Sequence, residues 1–405
     1  MGKYNLDKFI NLKDSCKIIY GKNGAVLYDF QVSNQYDILE IQSQILKEIE
    51  EGRLLSNIYS RYDHKIVDEF IDSILETGVG ELTNKYSPKE PYRVGNIILS
   101  DLRKQYSLNR VYIELPSACD KDCEFCDLPK INGCYTCKKS KDTNNRDIKY
   151  YYNLIDSILS YDCKNVIFHG GNPLLDWSFT KMILDYILSI KKKNVNIFLI
   201  NADEKIENDK LGYLVKNKIN VILNVNYSTK ITLEKMNDII YYYMRKKLLF
   251  TINFIVNYNI IDTFKNLYYT LAFEYNNCTY CLYSLDGLQK INNVYDIPCI
   301  QINEDIFNLL DSCHPCLFGT LSIRSNKKVY PCIEFDNNEL IDLNDSSFDE
   351  LFFNSNKLLE FWNMTFNDKE NCAICKYRKT CNDCIAYDMK LQNSKLNKKV
   401  FCNII

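Results

Sequence analysis

The 405 residues carry 46% apolar and 25% charged side chains with a formal net charge of -2, ordinary values for a globular chain that builds one large unit with one or two smaller ones. A pI near 6.1 excludes the bulk positive field of a nucleic-acid or anionic-membrane binder. Residues 1–7 lack a secretory pattern and no apolar run reaches membrane-spanning length, so neither nucleic acid nor membrane is an expected partner and the expected compartment is the cytoplasm.

In chain order, Ile18-Ile19-Tyr20 and Val26-Leu27-Tyr28, separated by Gly21 and Gly24, predict a hairpin. Ile38, Ile41, Ile45 and Ile49 predict one helix face; Val67, Phe70, Ile71, Ile74 and Leu75 predict a second, closed by Gly78. A hairpin with helices over residues 1–90 reads as a small winged-helix-like module, and residues 79–107 as a connector. Over 108–298, strand-like runs at 111–115, 166–168, 197–200, 221–225 and 250–256 alternate with amphipathic stretches such as 151–160 and 179–190. That alternation predicts an α/β fold with parallel strands and crossover helices, a barrel or an open sheet, whose chemistry sits at strand C-terminal ends. From 299 to 405 the alternation fades and cysteines dominate.

Eighteen cysteines in a reducing compartment are poorly explained by disulfides, so their spacing is read as metal ligation or redox chemistry. Cys119-Asp-Lys-Asp-Cys123-Glu-Phe-Cys126 directly follows the strand at 111–115. Three thiolates on one loop can bind three irons of a cubane and leave the fourth open; a zinc site is the competing reading and needs a fourth protein ligand. The C-x3-C-x2-C pattern, with Phe125 before the third cysteine, resembles the radical S-adenosylmethionine superfamily. The resemblance implies a partial (β/α)6 TIM-type barrel and a catalytic 4Fe-4S cluster on Cys119, Cys123 and Cys126. It also implies S-adenosylmethionine chelated to the open iron and cleaved to a 5′-deoxyadenosyl radical that takes hydrogen from substrate.

After the strand at 166–168, His169-Gly170-Gly171-Asn172-Pro173 resembles the family's GGEP motif, with Asn172 in place of the glutamate. The resemblance makes Phe125, Gly170, Gly171, Asn172 and Pro173 candidate cofactor-binding residues. His169 reads as a packed histidine, and Asn201 and Asn224 as turn caps or weak candidates for cofactor contacts.

Cys316, Cys332, Cys372, Cys375, Cys381, Cys384 and Cys402, with C-x2-C-x5-C-x2-C at the centre and Lys328-Val-Tyr-Pro-Cys332 upstream, resemble the SPASM domain. Lys327 stands at that motif's usual glycine. The resemblance implies two auxiliary 4Fe-4S clusters, the first on Cys316, Cys332 and Cys384 with Cys313 as fourth ligand, the second on Cys372, Cys375, Cys381 and Cys402. Read alone, the paired C-x2-C units also suit two zinc sites. Cys134-x2-Cys137 and Cys278-x2-Cys281 are left unassigned, as is any catalytic base.

The hairpin-and-helix start resembles the element with which radical peptide maturases grip a precursor's leader by strand addition. Asp14-Ser-Cys16, Val26-Leu-Tyr-Asp29 and Phe361-Trp362 before the central cysteines resemble the grasp-with-spasm maturases. The expectation is therefore an oxidoreductase that modifies a ribosomally made precursor peptide, forming a thioether or other crosslink. Its expected partners are an electron donor such as flavodoxin or ferredoxin and an ATP-grasp ligase of the same system. The alternatives are a maturase of a protein side chain, as in the anaerobic sulfatase-activating relatives, or a zinc-stabilised non-catalytic binding protein.

Overall fold

The computed structural model describes residues 2–89, 108–117, 119–140, 146–190, 195–202, 205–285, 303–353, 356–381 and 384–391. Cys299 and Cys402 lie outside them. No described helix is long and apolar enough to cross a membrane.

The expected hairpin forms from β2 (Cys16–Gly21) and β3 (Gly24–Asp29), with Gly21 opposite Gly24. Gly24 takes φ +117, a conformation open to a residue without Cβ. Strand β4 (Asn34–Ile38) adds to the far side of β3. Helix α1 (Glu40–Glu50) buries Ile45, Leu46 and Ile49. Its face is narrower than the isoleucine spacing suggests, because Ile38 pairs with Ala25 as the last residue of β4 and Ile41 is exposed. After α2 (Leu55–Tyr59), α3 (His64–Glu76) starts at Asp63, whose carboxylate accepts from the Lys65 and Ile66 amides, and ends just before Gly78 at φ +68. The expected connector begins instead as a strand: β5 (Gly80–Thr83) pairs antiparallel with β1 (Phe9–Leu12). Val67, Phe70, Ile71 and Ile74 pack with Ile45, Leu46 and Ile49 in one core.

All five expected central strands are present, as β6 (Arg110–Glu114), β7 (Asn165–His169), β8 (Asn196–Asn201), β9 (Asn220–Asn226) and β10 (Leu249–Asn257). A sixth, β11 (Cys278–Tyr283), takes up the Cys278-x2-Cys281 pair. Helices α4 (Ile148–Ser160), α5 (Trp177–Ile190), α6 (Asn208–Lys216), α7 (Leu233–Arg245) and α8 (Ile261–Glu274) connect them. The six strands pair parallel in sequence order, the pattern of successive crossovers in a TIM-type core. Covered on both faces, they read as near-continuous apolar runs such as Val221-Ile-Leu223, all buried.

After α9 (Glu304–Leu309), the cysteine-rich segment continues this sheet: β12 (Thr320–Ile323) pairs parallel with β6, and β13 (Lys328–Tyr330) and β14 (Ile341–Asp342) add antiparallel. In the β12–β13 turn Lys327 adopts φ +68, a left-handed conformation that glycine takes most readily. Short helices α10 (Glu350–Phe353), α11 (Asn356–Trp362), α12 (Glu370–Ala373) and α13 (Ile385–Leu391) complete the described chain.

The N-terminal hairpin lies against the segment around Cys375. The Lys22 amide donates to the Ile374 carbonyl (3.0 Å), the Arg378 guanidinium to the Tyr20 carbonyl (3.1 Å), and Lys376 pairs with Asp37 (2.5 Å). A Cβ at Gly21 would collide with the Lys376 amide nitrogen. Gly21→Ala must therefore force hairpin and cysteine segment apart, and urea unfolding is expected to register a loss of roughly 1–3 kcal/mol.

Candidate active site

The loop leaving β6 carries Cys119, Cys123 and Cys126, all half-buried. The Cys126 amide bonds the Cys123 carbonyl (3.0 Å), which curls the C-x2-C unit into one turn. Lys130, almost fully buried, donates its ammonium to the Cys126 (3.1 Å) and Leu128 (2.9 Å) carbonyls. Phe125 is buried against Tyr283, ring centroids 5.3 Å apart, and the Tyr283 hydroxyl reaches Glu124 (2.9 Å). The β11 strand thus braces the cysteine loop from the opposite edge of the parallel sheet.

All three thiols open on one cavity of about 630 Å³, which Phe125, Gly171, Asn224 and Asn226 also line. Its size suits a small-molecule cofactor. Lys121, Lys139, Lys205, Lys230 and Lys235 line it too, and no Asp or Glu does so among the described residues. Burial, and then the charges of Cys119 and Cys126, push the Cys123 thiol above its usual range. Three thiols in mutual electrostatic reach resist ionising together unless a cation accepts them, and the lysines further offset the charge of a thiolate-bound cluster. The donor set therefore fits an iron–sulfur group. Among the described residues no three Cys, His, Asp or Glu side chains converge as the shell of a single ion. A cubane sets a looser demand, since each thiolate meets a different iron.

The glycine motif divides its work. Gly170, at φ +123, has its Cβ position filled by the Leu115 carbonyl oxygen, so this glycine lets the exits of β6 and β7 close on each other. Gly171 faces the cavity. Asn172 is buried, its side-chain oxygen accepting from the Leu174 amide (3.2 Å), and the Pro173 carbonyl accepts from Thr180 (2.7 Å). Asn172 and Pro173 shape the turn and do not line the cavity. Asn224 donates to the Asn201 carbonyl (3.0 Å) and accepts from Asn253 (2.7 Å), a buried amide chain across β8, β9 and β10 that presents Asn224 to the cavity.

The Cys134-x2-Cys137 pair separates across a turn at Gly133–Tyr135. Cys137 lines the cavity; its thiol is pushed up by burial, then by Cys119, Cys123 and Cys126. Cys134 instead lies beside Cys316 and within electrostatic reach of Cys332 and Cys384. The Cys332 thiol is pushed up to about 12, chiefly by burial. Cys313 is buried and donates to the Leu309 carbonyl (3.5 Å). Cys372, Cys375 and Cys381 follow one another on the segment against the hairpin, with the Cys375 amide bonded to the Cys372 carbonyl (3.0 Å).

Sequence reasoning missed Lys130, Lys138 and Glu334. Buried Glu334 forms an ion pair with Lys138 (2.8 Å), whose ammonium also donates to the Ile333 carbonyl (3.1 Å). Burial alone would raise the Glu334 carboxyl, but Lys138, Lys390 and Lys130 hold it below its usual value. A Cβ on Gly133 would collide with that carboxylate. The sequence signal was faint: lysines shortly after a cysteine motif, read on their own, are solvated.

The buried groups around this loop set its stability. Lys130→Met strands the Cys126 and Leu128 carbonyls, and a drop of about 1–3 kcal/mol in unfolding free energy is expected. His169 is fully buried; burial, then Arg324 and Lys138, hold its imidazole well below 6.5. Below about pH 6.5 the unfolded chain binds a proton that the native state refuses, so this contribution to stability is present above that pH and lost below it, by up to ~1.4 kcal/mol per pH unit. Thermal unfolding between pH 7.5 and 5.5 should show a shallower acid dependence in His169→Phe.

Residues 113–261 match the model of the radical SAM superfamily. No curated protein matches the chain. Among solved structures, the chain is similar to "Native anSMEcpe with bound AdoMet and Kp18Cys peptide", at 19% identity and TM-score 0.51 over 73% of this chain and 94% of that one. It is similar to "Native anSMEcpe with bound AdoMet" at 19% identity and TM-score 0.51, over 72% and 94%. The Streptococcus suis SuiB structure bound to precursor peptide SuiA aligns over 96% and 99% at 12% identity and TM-score 0.46. The likeness to anSMEcpe is one of fold. With the cysteine loop, the cavity and most of the parallel sheet inside the matched stretch, the chain is an enzyme that carries a radical SAM domain, a domain whose chemistry uses a 4Fe-4S cluster and S-adenosylmethionine.

Proposed function

We propose that this enzyme modifies a ribosomally made precursor peptide by radical chemistry, with Cys119, Cys123 and Cys126 as the protein ligands of the catalytic cluster. The observation that carries the reading is the opening of those three thiols and Gly171 onto one cavity at the C-terminal ends of parallel strands. When bound, the cluster and S-adenosylmethionine supply a 5′-deoxyadenosyl radical that takes a hydrogen atom from substrate. The chain's own residues do the positioning. Lys130 fixes the carbonyls beside Cys126, Phe125 and Tyr283 brace the loop, and Asn224 and Gly171 offer polar contacts in the cavity. A second cavity of about 620 Å³ also reaches Cys126 and is lined by Arg324, Glu334 and Asp336; it offers a substrate polar contacts beside the first.

A peptide substrate is supported by the β2–β3–β4 sheet, whose β4 pairs only with β3 among the described residues and so keeps an edge for strand addition. The similar anSMEcpe structure was solved with a peptide bound. In this reading residues 1–90 form the winged-helix-like grip, 108–298 the barrel, and 299–405 a SPASM-type domain with two auxiliary clusters. Cys316, Cys332 and Cys384 serve the first; Cys372, Cys375, Cys381 and Cys402 serve the second. When bound by these cysteines, an auxiliary cluster would supply an electron acceptor; a thioether would then form as the peptide thiol bonds to the carbon radical, releasing its proton and one electron. An external donor such as flavodoxin or ferredoxin delivers the initiating electron, and an ATP-grasp ligase acts on the same peptide, as in the grasp-with-spasm systems.

The test is anaerobic reconstitution with iron and sulfide, then an assay for 5′-deoxyadenosine with S-adenosylmethionine and a reductant. About twelve irons per chain and nucleoside formation that falls to background in Cys123→Ala are expected. Tightly bound zinc without cleavage would overturn the reading.

A further inference from the structure

We propose that Cys134 is the fourth protein ligand of the auxiliary cluster held by Cys316, Cys332 and Cys384, so that the loop leaving the catalytic cysteines and the C-terminal segment close on one iron–sulfur centre. The inference rests on the reading of that segment as cluster-bearing, and replaces Cys313 in it. Cys134 lies beside Cys316, with Cys332 and Cys384 also in electrostatic reach of it. Cys384 in turn feels Cys332 and Cys316. Cys313, three residues before Cys316, turns its thiol to the Leu309 carbonyl of its own preceding turn.

The backbone holds Cys134 in that place by independent contacts. The Gly133–Tyr135 turn sits against the Glu334 carboxylate, two residues past Cys332, and Lys138 bonds both Glu334 and the Ile333 carbonyl. On the other side, Arg110 donates to Thr320 (3.2 Å) and reaches the Cys316 carbonyl (3.5 Å), placing a guanidinium beside the group. Four cysteine thiolates are the complete protein shell of a 4Fe-4S cluster, and a nearby cation offsets their charge. A cluster closed in this way has no iron open to substrate. Of the two uses of an auxiliary cluster, electron transfer and capture of a substrate sulfur, it serves the first.

The test uses the full chain with Cys119, Cys123 and Cys126 all changed to Ala, so that only auxiliary clusters load. After anaerobic reconstitution this parent should hold about eight irons and give the electron paramagnetic resonance of reduced cubanes. Adding Cys134→Ala is expected to remove up to one cluster's iron or to convert one signal to that of a three-iron centre. Cys134→Ser, which keeps the fold with a smaller perturbation and leaves an oxygen donor, is expected to shift one signal and its midpoint potential. Cys313→Ser should leave iron content and spectrum as in the parent. Unchanged iron, spectrum and potential in both Cys134 variants, or the same losses from Cys313→Ser, would sink the assignment of Cys134 alone. A parent without iron would instead remove the auxiliary-cluster reading on which it stands.

Discussion

The geometry of the catalytic end depends on one buried carboxylate. Glu334 lies in the C-terminal segment and Lys138 on the loop that follows the first cysteines, and the two form an ion pair (2.8 Å) in which the carboxylate is buried and the lysine partly so. An ion pair in such a place adds little net stability against an apolar pair of the same shape, but breaking it leaves a buried charge, at a cost of about 3–5 kcal/mol. Its value is in register. With Gly133 seated against Glu334 and Lys130 holding the Cys126 carbonyl, the 119–138 loop has one way to lie. Cys137 is then turned to the cavity and Cys134 to the C-terminal cysteines.

The same economy governs the ends of the chain. The N-terminal hairpin is fastened to the segment around Cys375 mainly through backbone groups and one lysine–aspartate pair, with Tyr28 and Tyr377 in a small shared apolar cluster. Strand β4 therefore lies close to the cysteine segment, with Asp37 meeting both Lys376 and Tyr377. Between the two ends, the parallel sheet supplies a rigid platform from which the cysteine loop, Gly171 and Asn224 are all presented at strand exits.

Much of this was legible from residue order because it is local. Runs such as Val221-Ile-Leu223 show a buried parallel strand on their face, and C-x3-C-x2-C is confined to one loop. Strand β11 was hidden because Cys278-Thr-Tyr-Cys-Leu-Tyr283 mixes polar and apolar residues, which left its cysteine pair unassigned; Cys281 is a buried strand residue that accepts from Thr136. Asn172 stands where the related motif has glutamate, and its side-chain oxygen accepts from the Leu174 amide within the turn, a local contact that the motif spacing does not report. The roles of Lys130, Glu334 and Cys134 depend on partners far along the chain or on burial, and no periodicity reports either.

The parallel pairing of β12 with β6 joins Arg110 to Thr320, 210 residues apart. During synthesis the six central strands emerge first, and β6 keeps one unpaired edge of apolar residues, the kind of surface on which nascent chains misassociate. Closing that edge brings Glu334 and the later cysteines to the 119–138 loop in the same motion. Covering that edge and fixing the shape of the 119–138 loop are thus tied to one strand pairing.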